Sequence, residues 1–209
     1  MPTRAVVFDF NGTLSDDEPI LCAVYGELFG ELGRPLSAAE YYEHLAGKTD
    51  EEMFRLWLGR SDPELIAERV ARYHARVQDG SSIDEETRAS VRYAAERVPV
   101  GLVSAALRAE IEPVVAAAGL ADVLAALVAE DDVVHGKPDP EPYLRAAELL
   151  GVSPADTVAF EDTDTGVASA KAAGLHVVAL TRTLPAERLA HADELVPRID
   201  VATIARLLT

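Results

Sequence analysis

Short, unbroken apolar runs alternate with amphipathic stretches along this chain. Ala5–Phe10, Pro99–Val103, Thr157–Phe160 and His176–Leu180 are rich in Val, Leu and Ala, and Leu124–Val128 is a weaker run of the same kind. None alternates cleanly with polar residues, the pattern of parallel strands covered on both faces. Helical periodicity fills the intervals at Ala109–Ala118, Glu141–Leu150, Gly166–Ala173 and Val201–Leu208. Gly119, Gly151 and Gly174 stand just past three of these helices, where a left-handed C-terminal residue is favoured. Strand–helix alternation of this kind predicts an α/β fold with an open, doubly wound parallel sheet.

One segment breaks the rhythm. Between Asp16 and Val98 no strand pattern occurs, and helices are expected at Glu18–Leu32, Ala38–Leu45, Glu51–Leu58, Pro63–Val77 and Glu85–Arg97. Turn residues divide them at Gly33-Arg34-Pro35, Gly47, Ser61-Asp62-Pro63 and Gly80-Ser81-Ser82. The expected organisation is therefore a core of residues 1–15 and 99–209 with an all-helical unit, 16–98, inserted after the first strand. Phe54, Leu56, Trp57 and Leu58 are expected to pack inside that unit.

Composition narrows the function. The 209 residues are 49% apolar and 26% charged, in the range of a folded globular protein, and no apolar run approaches the roughly 20 residues of a membrane span. A single cysteine, Cys22, excludes an intrachain disulfide and a cysteine metal centre, which fits a cytoplasmic location. The formal net charge of −17 argues against nucleic acid or an anionic membrane as partner. An anionic substrate would need local attraction from a lysine, a bound cation or helix N-termini.

Four strand ends and loops carry the candidate chemistry. Asp9 closes the first run, Ser104 follows Gly101-Leu102-Val103, Glu161 and Asp162 follow Val158-Ala159-Phe160, and Lys137 lies in Gly136-Lys137-Pro138-Asp139-Pro140. Open parallel sheets bind ligands beyond the carboxyl ends of their strands, so these groups can meet at one edge. A carboxylate can attack phosphorus, and phosphoryl transfer needs positive charge around the transferred group, from Mg²⁺ and a lysine. Taken singly, each residue also has a structural role: Asp9 as a turn acid, Ser104 as a helix cap, Glu161-Asp162-Thr163 as a helix start, and Lys137 as a loop lysine.

Taken together, the motifs resemble the haloacid dehalogenase superfamily of hydrolases, in the subfamily containing phosphoglycolate phosphatase and β-phosphoglucomutase. Asp9-Phe10-Asn11-Gly12-Thr13-Leu14, Ser104, Lys137 and Glu161-Asp162-Thr163-Asp164-Thr165-Gly166 match its four motifs in order, and the resemblance spans essentially the whole chain. It implies a Rossmann-like core, a helical cap at Asp16–Val98, and hydrolysis of a small phosphorylated metabolite through an aspartyl-phosphate at Asp9. By the same resemblance Asp9, Glu161, Asp162 and the backbone carbonyl of Asn11 would hold Mg²⁺. Thr13 and Ser104 would contact the phosphoryl group, and Lys137 would bridge Asp9 and the phosphate.

Asn11 departs from the pattern. The family's phosphatases and mutases carry there an Asp that protonates the leaving oxygen and then activates water, and an amide cannot move a proton. Several accounts stay open: an acid from the cap or substrate, chemistry that needs no acid there, a slow or idle relative that binds a phosphorylated molecule, an introduced Asp-to-Asn exchange, or deamidation at Asn11-Gly12. Dehalogenation, which uses the Asp nucleophile on carbon without Mg²⁺, is disfavoured by the Glu161-Asp162 and Gly136-Lys137-Pro138 pattern. In the cap, Lys48 of Ala46-Gly47-Lys48-Thr49-Asp50-Glu51 can touch an anionic leaving group or supply a proton, or stand on the surface before a helix capped by Thr49 or Asp50. A β-phosphoglucomutase would carry Arg near Asp50, where this chain has acids. Asp16, Asp17 and Glu18 are expected to favour a helix N-terminus.

Overall fold

The computed structural model describes residues 3–209. Six strands form one parallel sheet in the order β3-β2-β1-β4-β5-β6. They are β1 (Ala5–Asp9), β2 (Val100–Val103), β3 (Ala126–Val128), β4 (Thr157–Glu161), β5 (His176–Leu180) and β6 (Glu194–Val196). The non-alternating runs are explained by their surroundings, because both faces of the sheet are covered. Val6, Phe8, Val100, Leu102, Val158 and Phe160 point into one core, where Phe8 stacks on Phe160 at 5.1 Å between ring centroids. Val7, Val103, Ala159, Val177 and Ala179 point into the other. The five expected strands are present; β6, a three-residue edge strand that is only partly buried, was not expected.

Nine α-helical stretches accompany the sheet among the described residues. Four flank the strands: α6 (Arg108–Ala117), α7 (Glu141–Leu150), α8 (Asp164–Ala172) and α9 (Val201–Leu207). Between β1 and β2 the chain is helical: α1 (Glu18–Glu31), α2 (Ala38–Glu40), α3 (Asp50–Leu58), α4 (Pro63–Val77) and α5 (Glu85–Ala95). The expected helix at Ala38–Leu45 is only one α-turn long and continues as a wider π-turn over Tyr41–Leu45. That turn buries Tyr41 and Leu45 together. Capping chemistry sets several starts. The Thr49 hydroxyl accepts from the amide of Glu52 to begin α3, and Asp62, Asp84, Thr163 and Asp200 cap α4, α5, α8 and α9 in the same way.

The inserted helices pack around an aromatic cluster. Phe54 meets Phe29 edge-on at 5.2 Å, and Tyr25 lies between Phe29, Tyr41 and Phe54. Trp57 packs on the rim of this cluster, stacked on Phe29. Leu56, expected inside, is 61% exposed: it stands two residues on from the buried Phe54, about 200° round α3, on the far side of the helix from it.

The topology positions the site. The chain runs from β1 to β2 and β3, then crosses back to enter β4 on the other side of β1. The carboxyl ends of β1 and β4 are thus neighbours at the switch point, where ligands of such sheets bind.

Candidate active site

Asp9 is the last residue of β1 and Glu161 the last of β4, and both are buried. Lys137, from the crossover before α7, reaches between them. Its Nζ lies 2.5 Å from Asp9 Oδ1 and 2.5 Å from Glu161 Oε1, and it donates to the carbonyl of Val103 at 3.4 Å. Tyr143 of α7 donates its hydroxyl to the same Glu161 oxygen at 2.6 Å. The other oxygen, Oε2, accepts from the backbone N–H groups of Asp162 at 3.1 Å and Thr163 at 3.4 Å. Glu161 is therefore held on all sides, and its geometry orients the lysine.

Asp162 is different. One oxygen accepts from the Thr13 hydroxyl at 3.0 Å, while Oδ2 is buried without a hydrogen-bond partner in the protein. Asp9, Glu161 and Asp162 each offer an oxygen within 4.8 Å of the others. Three acids so close repel one another. Burial, with the Glu161 charge adding to it, pushes Asp9 up to about 7 despite Lys137, and burial beside Asp9 and Glu161 raises Asp162 well above the carboxylate range. A hard divalent cation suits this donor set: buried carboxylate oxygens, one of them unpartnered.

Two glycines make room for this packing. Gly12 has φ +74°, and a Cβ there would fall 1.9 Å from Asp162 Oδ2. A Cβ on Gly166 would fall 2.0 Å from Glu161 Oε1. The loop after β1 is also held from β5: Arg182 donates from Nε to the Gly12 carbonyl at 2.6 Å and from Nη2 to that of Thr13.

A pocket opens over these groups, between the sheet edge and the inserted helices. Asp9, Asn11, Ser104 and Lys137 line it from below, and Glu18, Lys48, Asp50 and Arg69 from the insertion. Ser104 accepts from the amide of Ala106 at 3.0 Å, and Lys48 is half-buried at the wall. Thr13, expected at the phosphate, is fully buried with its hydroxyl on Asp162 and does not line the cavity. Its physical role is to orient that carboxylate.

Asn11 is fixed by a neighbour. Its Nδ2 donates to Asp17 Oδ2 at 3.1 Å, and Asp17 also accepts from the Gly12 amide at 3.2 Å and from the Tyr73 hydroxyl. Asp17 precedes α1, but its carboxylate accepts nothing from the helix; it braces the loop that carries Asn11. Glu18 is buried too, and accepts from Tyr41 at 3.0 Å. Asp17 and Glu18 do stand at the N-terminus of α1, as expected, and their burial adds these contacts to that position.

Arg69 and Glu110 escaped the sequence reading. The Arg69 guanidinium is buried between Asp50 of α3 and Glu110 of α6, with Nη2 on Asp50 and Nη1 2.5 Å from Glu110 Oε2, and Tyr25 donates to Asp50. An arginine does stand beside Asp50, brought from α4 nineteen positions along. Nothing marks it in the sequence, because α4 carries Arg69, Arg72 and Arg76 on one amphipathic helix and only packing shows which one is buried.

The sequence matches the family model of haloacid dehalogenase-like hydrolase over residues 3–174. The chain belongs to the haloacid dehalogenase-like hydrolases. It is 32% identical over 214 residues to validoxylamine A 7'-phosphate phosphatase of Streptomyces hygroscopicus subsp. limoneus, covering 92% of each chain. It is 28% identical to phosphoglycolate phosphatase of Thiobacillus denitrificans, over 85% of this chain and 82% of that one. Its fold superposes with a TM-score of 0.84 on a mutant of CbbY from Rhodobacter sphaeroides in complex with xylulose-(1,5)bisphosphate, at 25% identity and 95% coverage of both chains. The hydrolase class and the α/β fold inferred from the motifs are thus borne out. Among the described residues no helix is long and apolar enough to cross a membrane.

Two consequences for this haloacid dehalogenase-like hydrolase are measurable without a substrate. Lys137→Met would leave Asp9 and Glu161 facing each other without a buried cation, which typically costs about 3–5 kcal/mol. Urea unfolding with chelator present should show that loss, and addition of a divalent cation should recover part of it. The second concerns pH. Burial raises Glu18 to about 8 and Glu110 to about 7, from 4.5. An acid whose pKa is raised by folding stabilises below its unfolded value and loses that contribution as pH rises through the folded value. The melting temperature of metal-free protein should therefore fall between about pH 4.5 and pH 8; a flat or rising profile would contradict the burial of these acids.

Proposed function

We propose that this hydrolase cleaves the monophosphate ester of a small molecule, with Asp9 as nucleophile and Mg²⁺ as cofactor. The observation that carries this reading is Asp9 at the mouth of β1, 2.5 Å from Lys137, beside an unpartnered Asp162 oxygen and under a cavity. Residues 16–98 are read as the cap that closes the cavity and 1–15 with 99–209 as the core. Asp9, Asp162 and the Asn11 backbone carbonyl would hold the cation, with Glu161 at its edge. When bound, the cation supplies positive charge against the phosphoryl oxygens and relieves the repulsion among the acids.

An Asp9 oxygen attacks phosphorus, and the bond to the leaving oxygen breaks as the aspartyl-phosphate forms. Water then attacks phosphorus, freeing phosphate and restoring the carboxylate. Lys137 favours the ionised form of Asp9 against burial and would face the phosphoryl oxygens, Ser104 would present its hydroxyl to them, and Thr13 acts through Asp162. Lys48, which lines the pocket, would meet the leaving group. Asn11 holds the loop through Asp17 but moves no proton.

Phosphate release from p-nitrophenyl phosphate and a panel of sugar and carboxylic-acid phosphates, with Mg²⁺ or chelator, tests the reading. Release that requires Mg²⁺ supports it. The tied amide of Asn11 favours one other reading, a relative that binds a phosphorylated small molecule without turning it over. Saturable binding with no release from any ester would select it.

A further inference from the structure

The backbone carbonyls of the run Asp9–Thr13 are satisfied in an uneven way. That of Asp9 accepts from the Leu14 amide at 3.2 Å, and that of Phe10 from the amides of Thr13 and Ser15 at 3.3 and 2.9 Å. The carbonyls of Gly12 and Thr13 both accept from Arg182. Among the described residues, the Asn11 carbonyl alone in this run accepts no hydrogen bond. Its direction is set by the amide on the same peptide. The Asn11–Gly12 bond is trans, so this carbonyl points opposite to the Gly12 N–H, which donates to Asp17 Oδ1 at 3.2 Å. The open carbonyl therefore points away from Asp17. Gly12, at the end of the same peptide, presses on the unpartnered oxygen of Asp162, since a Cβ there would fall 1.9 Å from Oδ2.

Such a turn needs outside support. Gly12 has φ +74°, and a glycine moves readily between the two hands of φ. Asp17 fixes the peptide plane before Gly12. Arg182 fixes the two planes after it, with Nε and Nη2 of one rigid guanidinium on successive carbonyls. Arg182 comes from the loop after β5, two strands away from β1 in the sheet, and does not line the pocket. It can act on the site only through the turn. We propose that Arg182 is a positioning residue for the divalent cation: by gripping the Gly12 and Thr13 carbonyls it keeps the Asn11 carbonyl open and in place as a ligand beside Asp9 and Asp162. This rests on the cation reading above.

Calorimetric titration of the full chain with Mg²⁺ tests this without a substrate, on protein shown to be folded by circular dichroism. Arg182→Met is expected to weaken Mg²⁺ binding by about 10–100-fold, the usual effect of removing a group that orients a metal ligand. The sign decides the matter. Charge alone predicts the opposite, because deleting a cation from the neighbourhood of a metal site favours the binding of another. Arg182→Lys keeps the charge but has no rigid fork to span two carbonyls, so charge alone predicts no change, whereas positioning predicts a loss smaller than that of Arg182→Met. Unchanged or tighter Mg²⁺ binding by Arg182→Met, even with a lower melting temperature in chelator, overturns the inference and leaves Arg182 a structural clamp. If Arg182→Met does not fold, Arg182→Lys decides: weaker binding supports the inference and unchanged binding overturns it. Absence of Mg²⁺ binding by the unaltered protein overturns the cation reading, and this inference with it.

Discussion

Asp9→Asn is expected to lower phosphate release by roughly 10⁴-fold or more, the scale on which nucleophile removal acts, while leaving the protein as stable or more so. The amide cannot attack phosphorus, and no neighbour substitutes for it: Glu161 is saturated by Lys137, Tyr143 and two backbone amides, and Asp162 is oriented by Thr13. The gain in stability follows from the same geometry. Asp9 sits buried among Glu161 and Asp162, and burial with the Glu161 charge already lifts its pKa to about 7. An uncharged isostere removes that repulsion, and Lys137 keeps Glu161 as its partner at 2.5 Å. Thermal melting in chelator beside a phosphate-release assay checks both halves. A large loss of melting temperature together with the loss of turnover would mean that Asp9 is chiefly a structural partner of Lys137.

The legible part of this site was the part written next to strands. Asp9, Ser104 and Glu161-Asp162 each follow an apolar run, and Lys137 lies between Gly136 and Pro138, so a parallel sheet brings them to one edge with little further information. What the sequence could not show is which polar side chains of the helices turn inward. Tyr143 lies on the buried stripe of α7 and reads as core packing until its hydroxyl is seen on Glu161. Arg182 follows β5 like any loop arginine, yet it clamps the carbonyls of Gly12 and Thr13. Asp17 and Glu18 read as helix-start acids, and burial gives them other work. In the fold, β6 escaped because three half-exposed residues carry no periodic signal. The turn at Tyr41–Leu45 escaped because its apolar spacing suits either helix type.

Asn11→Asp is expected to raise turnover of alkyl phosphates by about 10²–10⁴-fold, the usual contribution of one general acid/base. Asn11 lines the cavity beside Asp9, so an acid there would face the leaving oxygen. Its neighbour would also tune it. Asn11 Nδ2 lies 3.1 Å from Asp17 Oδ2, and two carboxyls at that separation share one proton, which keeps position 11 in its acid form until a leaving group takes the proton. In the unaltered enzyme the amide supplies no proton to the leaving oxygen and accepts none from water. Esters with an acidic leaving group should therefore form the aspartyl-phosphate readily and release it slowly. A rapid-mix assay with p-nitrophenyl phosphate should show a burst of nitrophenol equal to the enzyme present, followed by a slow steady rate; Asn11→Asp should shorten the burst phase into the steady rate and close the gap between aryl and alkyl esters. If alkyl esters turn over well before the change and gain little from it, the proton comes from elsewhere on the cavity wall. Glu18 is then the group to replace, because it is a buried carboxyl that lines the same space and holds its proton to about pH 8.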